Sequence, residues 1–153
     1  MFRYPTQAKR LESADTARRN GVLAALTVAV LLVGPQLVTV SRAVANLPVT
    51  AAAVVWSRAH GGTCDVRTDL MVTCESMDDG YANAGTTVGN AWLYGDLGGT
   101  DRHRHESRHS DQWAMFGPAF PALYGAECAR TGGDYHRNVF ERWAGLHDGG
   151  YQP

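Results

Sequence analysis

The sequence predicts an α+β domain of roughly 100 residues carried behind a single N-terminal transmembrane helix. Three observations lead there. Residues 21–40 form an uncharged run rich in Val, Leu and Ala. Two stretches of strand composition, 63–74 and 86–94, are set off by loops rich in Gly, Asp and Asn. Behind them a helix-period segment, 100–116, runs into Gly117-Pro118, which stops it.

Residues 1–20 are polar and read as a cytoplasmic tail without structure of its own. The run at 21–40 has 20 residues, and at about 1.5 Å per residue it matches the roughly 30 Å of a bilayer's hydrocarbon core. Arg18 and Arg19 stand directly before it with Lys9 and Arg10 further back, whereas Arg42 is the one close cation behind it. The positive-inside rule therefore places the N-terminus in the cytoplasm and everything after the span outside. The charge step agrees: residues 1–56 carry six basic against two acidic groups, a net +4, and residues 57–153 carry eight against thirteen, a net -5. An acidic folded part lacks the basic patch that phosphate binding requires, so nucleic acid is not an expected partner. Ala43-Val44-Ala45 has the small-x-small form of a signal-peptidase site, and secretion after cleavage near Ala45 is the alternative to a retained anchor. Residues 41–56 read as a stalk, and 57–153 as the extracytoplasmic domain.

Cys64 and Cys74 have nine residues between them, with Val66, Leu70 and Val72 in the interval. That spacing suits a short hairpin closed by a disulfide in an oxidising compartment, leaving Cys128 over. Residues 75–85 and 95–100 read as loops, and 86–94 as one strand. Asp78-Asp79-Gly80 lacks the alternate-position ligands of a calcium loop and reads as a turn. On the helix of 100–116, Thr100 or Asp101 can cap the start. His105, His109, Trp113 and Phe116 then fall on one apolar, inward face. A short helical stretch at 118–124 follows, and a last helix runs from Asn138, as N-cap, to Leu146.

The inward helix face carries the chemistry. His105-Glu106-Ser107-Arg108-His109 is an HExxH segment, in which the histidines at i and i+4 can reach one Zn²⁺ and the glutamate flanks the open position as general base. Extended to Gln112, the segment resembles the HExxHxxQ helix of small zincin-type metallopeptidase domains of bacterial secreted and toxin-associated proteins. Gly85-Thr86-Thr87-Val88-Gly89-Asn90, Gly117 with Phe120 and Tyr124, and Asn138-Val139-Phe140-Glu141-Arg142-Trp143-Ala144 share in the resemblance, which covers about residues 85–151. It implies a short sheet whose edge strand, the one before the active helix, receives an extended peptide substrate.

A third ligand in the HExxHxxGxxH manner is excluded, because Gln112 and Met115 occupy those positions. The resemblance points instead to Glu141, from the following helix. Asn138-x-x-Glu141 is also a capping-box pattern, in which Glu141 would bond only the backbone. His136, Asp134 and Glu127 are the other candidates. Asp111 and Gln112 are candidates for supporting the ligands, and Tyr135, His136 or Tyr151 for donating to an oxyanion. His60, His103 and His147 read as surface groups. The expected function is a membrane-anchored zinc hydrolase of peptidase type with Glu106 as general base and a peptide or protein as substrate. The alternative is a non-catalytic, zinc-stabilised, membrane-anchored binding module.

Overall fold

A computed structural model describes residues 7–77, 79–80, 85–95 and 102–151. Contacts divide the chain into two compact units, Met1–Val38 and Thr39–Pro153. One helix, α1 (Gln7–Ala59), supplies all of the first unit's described structure and the opening segment of the second. It is long and apolar enough to cross a membrane. The unstructured tail expected before the span is helical from Gln7 onward. Ala8, Lys9, Arg10, Leu11 and Glu12 are good helix formers, and extending an existing helix needs no new nucleus.

Among the described residues the second unit holds a four-stranded sheet and three further helices: β1 (Thr63–Val66), β2 (Val72–Glu75), β3 (Thr86–Val88), β4 (Ala91–Leu93), α2 (His103–Phe116), α3 (Phe120–Thr131) and α4 (Val139–Ala144). The strand order is β1-β2-β4-β3. β1 and β2 form the expected hairpin, with Cys64 opposite Cys74 and the two joined by a disulfide. β2 pairs with β4 in parallel, and β3 closes the sheet antiparallel to β4.

The single strand expected over 86–94 is instead the tight hairpin β3–β4. Gly89 takes a left-handed φ of 63° in the two-residue turn, which reverses the chain. A Cβ there would stand 2.6 Å from both Thr50 Oγ1 and Val49 Cγ1, so only glycine lets the turn press against α1. The reversal makes β3 an edge strand and buries β4 inside the sheet.

The expected stalk is part of this unit. Arg42, Asn46, Thr50, Ala53 and Ser57 are buried along one face of α1. Most of that face is polar and hydrogen-bonded. Asn46 Nδ2 donates to Asn90 Oδ1 (2.8 Å) and Ser110 O (2.9 Å), and the Asn90 backbone N–H donates to Thr50 Oγ1 (2.8 Å). Arg42 Nη1 donates to Ser107 Oγ (2.7 Å), and Nη2 to Asp69 O (2.8 Å). Two of these partners, Ser107 and Ser110, lie on α2, so the helix entering the unit also sets the helix that carries HExxH.

Further along, Ala53 of α1 packs on Cys74, Met77, Ala91 and Leu93 of the sheet side. A second core joins α2, α3 and α4 through Trp113, Phe120 and Phe140, with edge-on rings such as Phe120–Phe140 at 5.3 Å. α2 starts at His103, later than expected, with Arg102 at the cap position and no side-chain cap bond. Thr100 and Asp101, the expected caps, lie outside the described residues. Gly117 ends α2 as expected. A 3₁₀ turn over Gly117–Ala119 then leads into α3, which runs past Tyr124 to Thr131. α4 begins on the Asn138 cap but stops at Ala144, before the expected Leu146, where Gly145 adopts a φ of 91°.

Candidate metal centre

His105, His109 and Glu141 meet at one point. Their ligand atoms lie within 4.8 Å of one another, and all three residues are buried. The histidines come from successive turns of α2, which its apolar face directs inward alongside Trp113. Glu141 arrives from the first turn of α4. His105 Nε2 is 3.1 Å from Glu141 Oε2, His109 Nε2 is 3.6 Å from Glu141 Oε1, and the two Nε2 atoms are 3.0 Å apart.

Each imidazole is oriented from behind. His105 Nδ1 donates to Gly145 O at 3.1 Å, an atom that can only accept. His109 Nδ1 faces Gln112 Oε1 at 2.8 Å, and Gln112 commits its own amide N–H to Phe140 O at 2.9 Å. Both ring protons are thus held on Nδ1, and the lone pairs of the two Nε2 atoms converge on a carboxylate. Three electron-rich atoms at this separation repel unless a proton or a metal cation lies between them. Glu141 Oε2 adds to the case, being buried without a hydrogen-bond donor. Two imidazole nitrogens and one carboxylate are the donor set of catalytic zinc sites, so the residues fit the ion that the sequence motif implies.

The close approach also shifts the titration of these groups. Burial by itself would depress His109, but the adjoining Glu141, with Glu106 and Gln112 behind it, lifts the imidazole above its ordinary pKa. Burial would raise Glu141, but the adjoining His105 and His109 imidazoles, with the Tyr124 hydroxyl, hold it well below the carboxylate range. The Tyr124 hydroxyl donates to Glu141 Oε1. Burial and the nearby Glu141 push both the Tyr124 and Tyr151 phenols far up, which keeps them protonated as donors.

The capping-box question resolves in two halves. Asn138 Oδ1 accepts from the N–H groups of Phe140 (2.9 Å) and Glu141 (3.4 Å), so the cap is real. The Asn138 N–H goes to the carbonyls of Asp134 and Tyr135, leaving the Glu141 carboxylate to the histidines. The other third-ligand candidates are engaged elsewhere. Glu127 binds Arg130 and the Val139 N–H, and Asp134 accepts from the His136 N–H. His136 stands outside the cluster, with its ring 6.5 Å from that of Tyr151.

Glu106 is buried on the same helix, and its Oε2 accepts a 2.6 Å hydrogen bond from Thr87 Oγ1 on β3. It opens with His105, His109 and Glu141 into a cleft of about 650 Å³. Thr86, Thr87 and Val88 of the edge strand form one wall, Phe120 and Tyr124 another, and Tyr135 and Tyr151 line it as well. Tyr151 stacks on Tyr135 (4.9 Å) and meets His105 edge-on (5.7 Å).

Other expectations shift. Gln112 supports a ligand, but Asp111 turns away to pair with Arg42 at 3.2 Å. His103, expected as a free surface group, bonds Asp69 Oδ2 at 2.9 Å. His60 pairs with Asp79, whereas His147 is fully exposed. Cys128 is free and lines the cleft. Thr87, Tyr124 and the Gly145 carbonyl carried no signal for these roles in the sequence, since each acts through a contact formed only by folding. Family profiles, curated proteins and solved structures were compared with this chain, and none matches it.

Proposed function

We propose that this chain is a membrane-anchored, zinc-dependent hydrolase of metallopeptidase type, with a zincin-like folded unit on the extracytoplasmic side. The observation that carries the reading is the convergence of His105, His109 and Glu141 beside a buried glutamate, Glu106, in one open cleft. The charge step around 21–40 supports the topology, and the Cys64–Cys74 disulfide supports an oxidising compartment.

Bound by these three residues, a zinc ion would supply Lewis acidity, making a water nucleophilic near neutral pH and polarising a peptide carbonyl. The chain's own residues do the rest. β3, at the edge of the sheet, runs along the cleft, and an extended peptide can align against it. Glu106, its rotamer fixed by Thr87, takes a proton from the attacking water and returns it to the leaving amine. Tyr151 lines the cleft, is kept protonated by burial and Glu141, and would donate to negative charge that develops on the carbonyl oxygen. Gln112 and Gly145 O keep the ligand nitrogens turned inward throughout.

Metal analysis of the purified chain, followed by cleavage of a broad peptide library with and without chelator, tests the proposal. Stoichiometric zinc with chelator-sensitive cleavage is the expected result. Zinc without cleavage would leave the non-catalytic binding module, and the absence of zinc would refute both.

A further inference from the structure

The two central positions of HExxH are left open by the motif itself, and Arg108 occupies the second of them. Its side chain reaches across to the segment that follows α4. Arg108 Nη1 donates to Ala144 O at 2.6 Å and to Asp148 Oδ2 at 2.7 Å. Between those two contacts lies Gly145, whose carbonyl accepts the His105 Nδ1 proton and also the Gly149 N–H, at 3.1 Å each. The loop is fitted closely at both of its ends. A Cβ on Gly145 would collide with Arg108 Nη1, and one on Gly149 would stand 2.8 Å from Cε1 and Nδ1 of His105. Beyond Gly149, the Tyr151 ring meets His105 edge-on. The Asp148 carboxyl is lowered from its ordinary value, because hydrogen bonding and charge from Arg108 outweigh the burial that would raise it.

We propose that Arg108 and Asp148 form a latch that holds the loop after α4 against α2 and thereby fixes the orientation of His105 as a metal ligand. Arg108 touches neither the metal position nor the cleft, so it is a positioning residue. It acts by keeping Gly145 O where it can hold the Nδ1 proton. An exposed ion pair is ordinarily worth little, but here one guanidinium bridges a carboxylate and a backbone carbonyl adjacent to the atom that orients a ligand. The inference rests on the metal-centre reading and adds to it a residue outside the ligand set.

The test uses the full chain in detergent. Zinc affinity is measured by competition with a chromophoric chelator, and the site is read separately from the visible d–d spectrum of the Co²⁺-substituted protein. Arg108→Ala should weaken zinc binding by about 10–100-fold and alter the Co²⁺ spectrum, the scale seen when a group supporting a metal-bound histidine is lost. Asp148→Asn should act in the same direction, and Arg108→Lys, which keeps a charged donor, should recover most of the affinity. Asp79→Ala removes the His60–Asp79 pair in another part of the unit and should leave both readouts unchanged.

The latch is overturned if the parent binds zinc and both Arg108→Ala and Asp148→Asn bind it equally well with an unaltered Co²⁺ spectrum. It is also overturned if Asp79→Ala weakens zinc as much as they do, since the effect would then be one of general stability. Should Arg108→Ala fail to fold, Asp148→Asn decides alone. A parent chain that binds no zinc removes the metal-centre reading, and the latch with it.

Discussion

Replacing Gln112 with Leu removes a side chain that serves two masters. Gln112 is fully buried, accepts the His109 Nδ1 proton at 2.8 Å and donates to Phe140 O at 2.9 Å. Leucine is similar in size but leaves the imidazole N–H and the carbonyl without partners, at roughly 1–3 kcal/mol each. The added apolar burial returns about 1 kcal/mol, so the metal-free unit should lose roughly 1–5 kcal/mol. For a unit of this size that is a drop of about 5–25 °C in thermal midpoint. A second effect is separate. With no acceptor at Nδ1, the ring proton can move to Nε2 and occupy the lone pair that the metal needs, which should weaken zinc binding by about 10–100-fold. Urea unfolding of the metal-free protein measures the first effect, and chelator competition measures the second. Gln112→Glu separates them, because it keeps the acceptor for His109 while losing the donor to Phe140 O. It should cost stability but hold zinc within about threefold of the parent. If Gln112→Leu lowers stability and leaves zinc affinity within that same threefold, Gln112 only packs, and the tautomer argument fails.

Four further predictions follow from the same geometry. Glu106→Gln should retain stoichiometric zinc and lower turnover by about 10²–10⁴, read by metal analysis beside a peptidase assay; loss of zinc would make Glu106 a ligand instead. Glu141→Gln should release zinc, whereas Asn138→Ala should cost about 1 kcal/mol of stability with zinc stoichiometry intact, which separates the ligand from the cap on one helix turn. Arg130 and the Val139 N–H lower the Glu127 carboxyl from 4.5 to about 2, so its contribution to stability is complete above pH 4.5 and is lost as pH falls toward 2. Acid unfolding of Glu127→Gln should therefore be flatter than the parent's across that window, and identical curves would contradict the assignment. A reporter fused after Pro153 should be active outside the cytoplasm only, and cytoplasmic activity would reverse the topology.

Much of this protein could be read from local pattern. The uncharged run at 21–40, the Cys64–Cys74 spacing and the i, i+4 histidines on an apolar helix face each act over one span, one hairpin or one helical turn. Short-range geometry therefore decides them. The helix stop at Gly117 and the Asn138 cap belong to the same kind, since a cap acts on N–H groups two or three residues away. The stretch over 86–94 looked like one strand because its composition is uniformly strand-like. The turn at Gly89 became evident only against Thr50 and Val49, forty residues earlier in the chain.

The stretch 41–56, which reads as a stalk, belongs to the folded unit for a related reason. A helix with Arg42, Asn46, Thr50 and Ser57 on one face does not announce burial, and their partners on α2 and the β3–β4 turn are too distant in sequence to suggest it. The candidate metal centre divides along the same line. The sequence by itself determined that two histidines and a glutamate share one turn-repeat of a helix. Only the tertiary structure decided that Glu141 faces them rather than its own helix end, that Thr87 holds Glu106, and that Gly145 O and Gln112 hold the ring protons on Nδ1. The physical reason is range: a helix's own period fixes which side chains lie together on it, but a ligand set is completed, and its tautomers chosen, by atoms that only packing brings within hydrogen-bond distance.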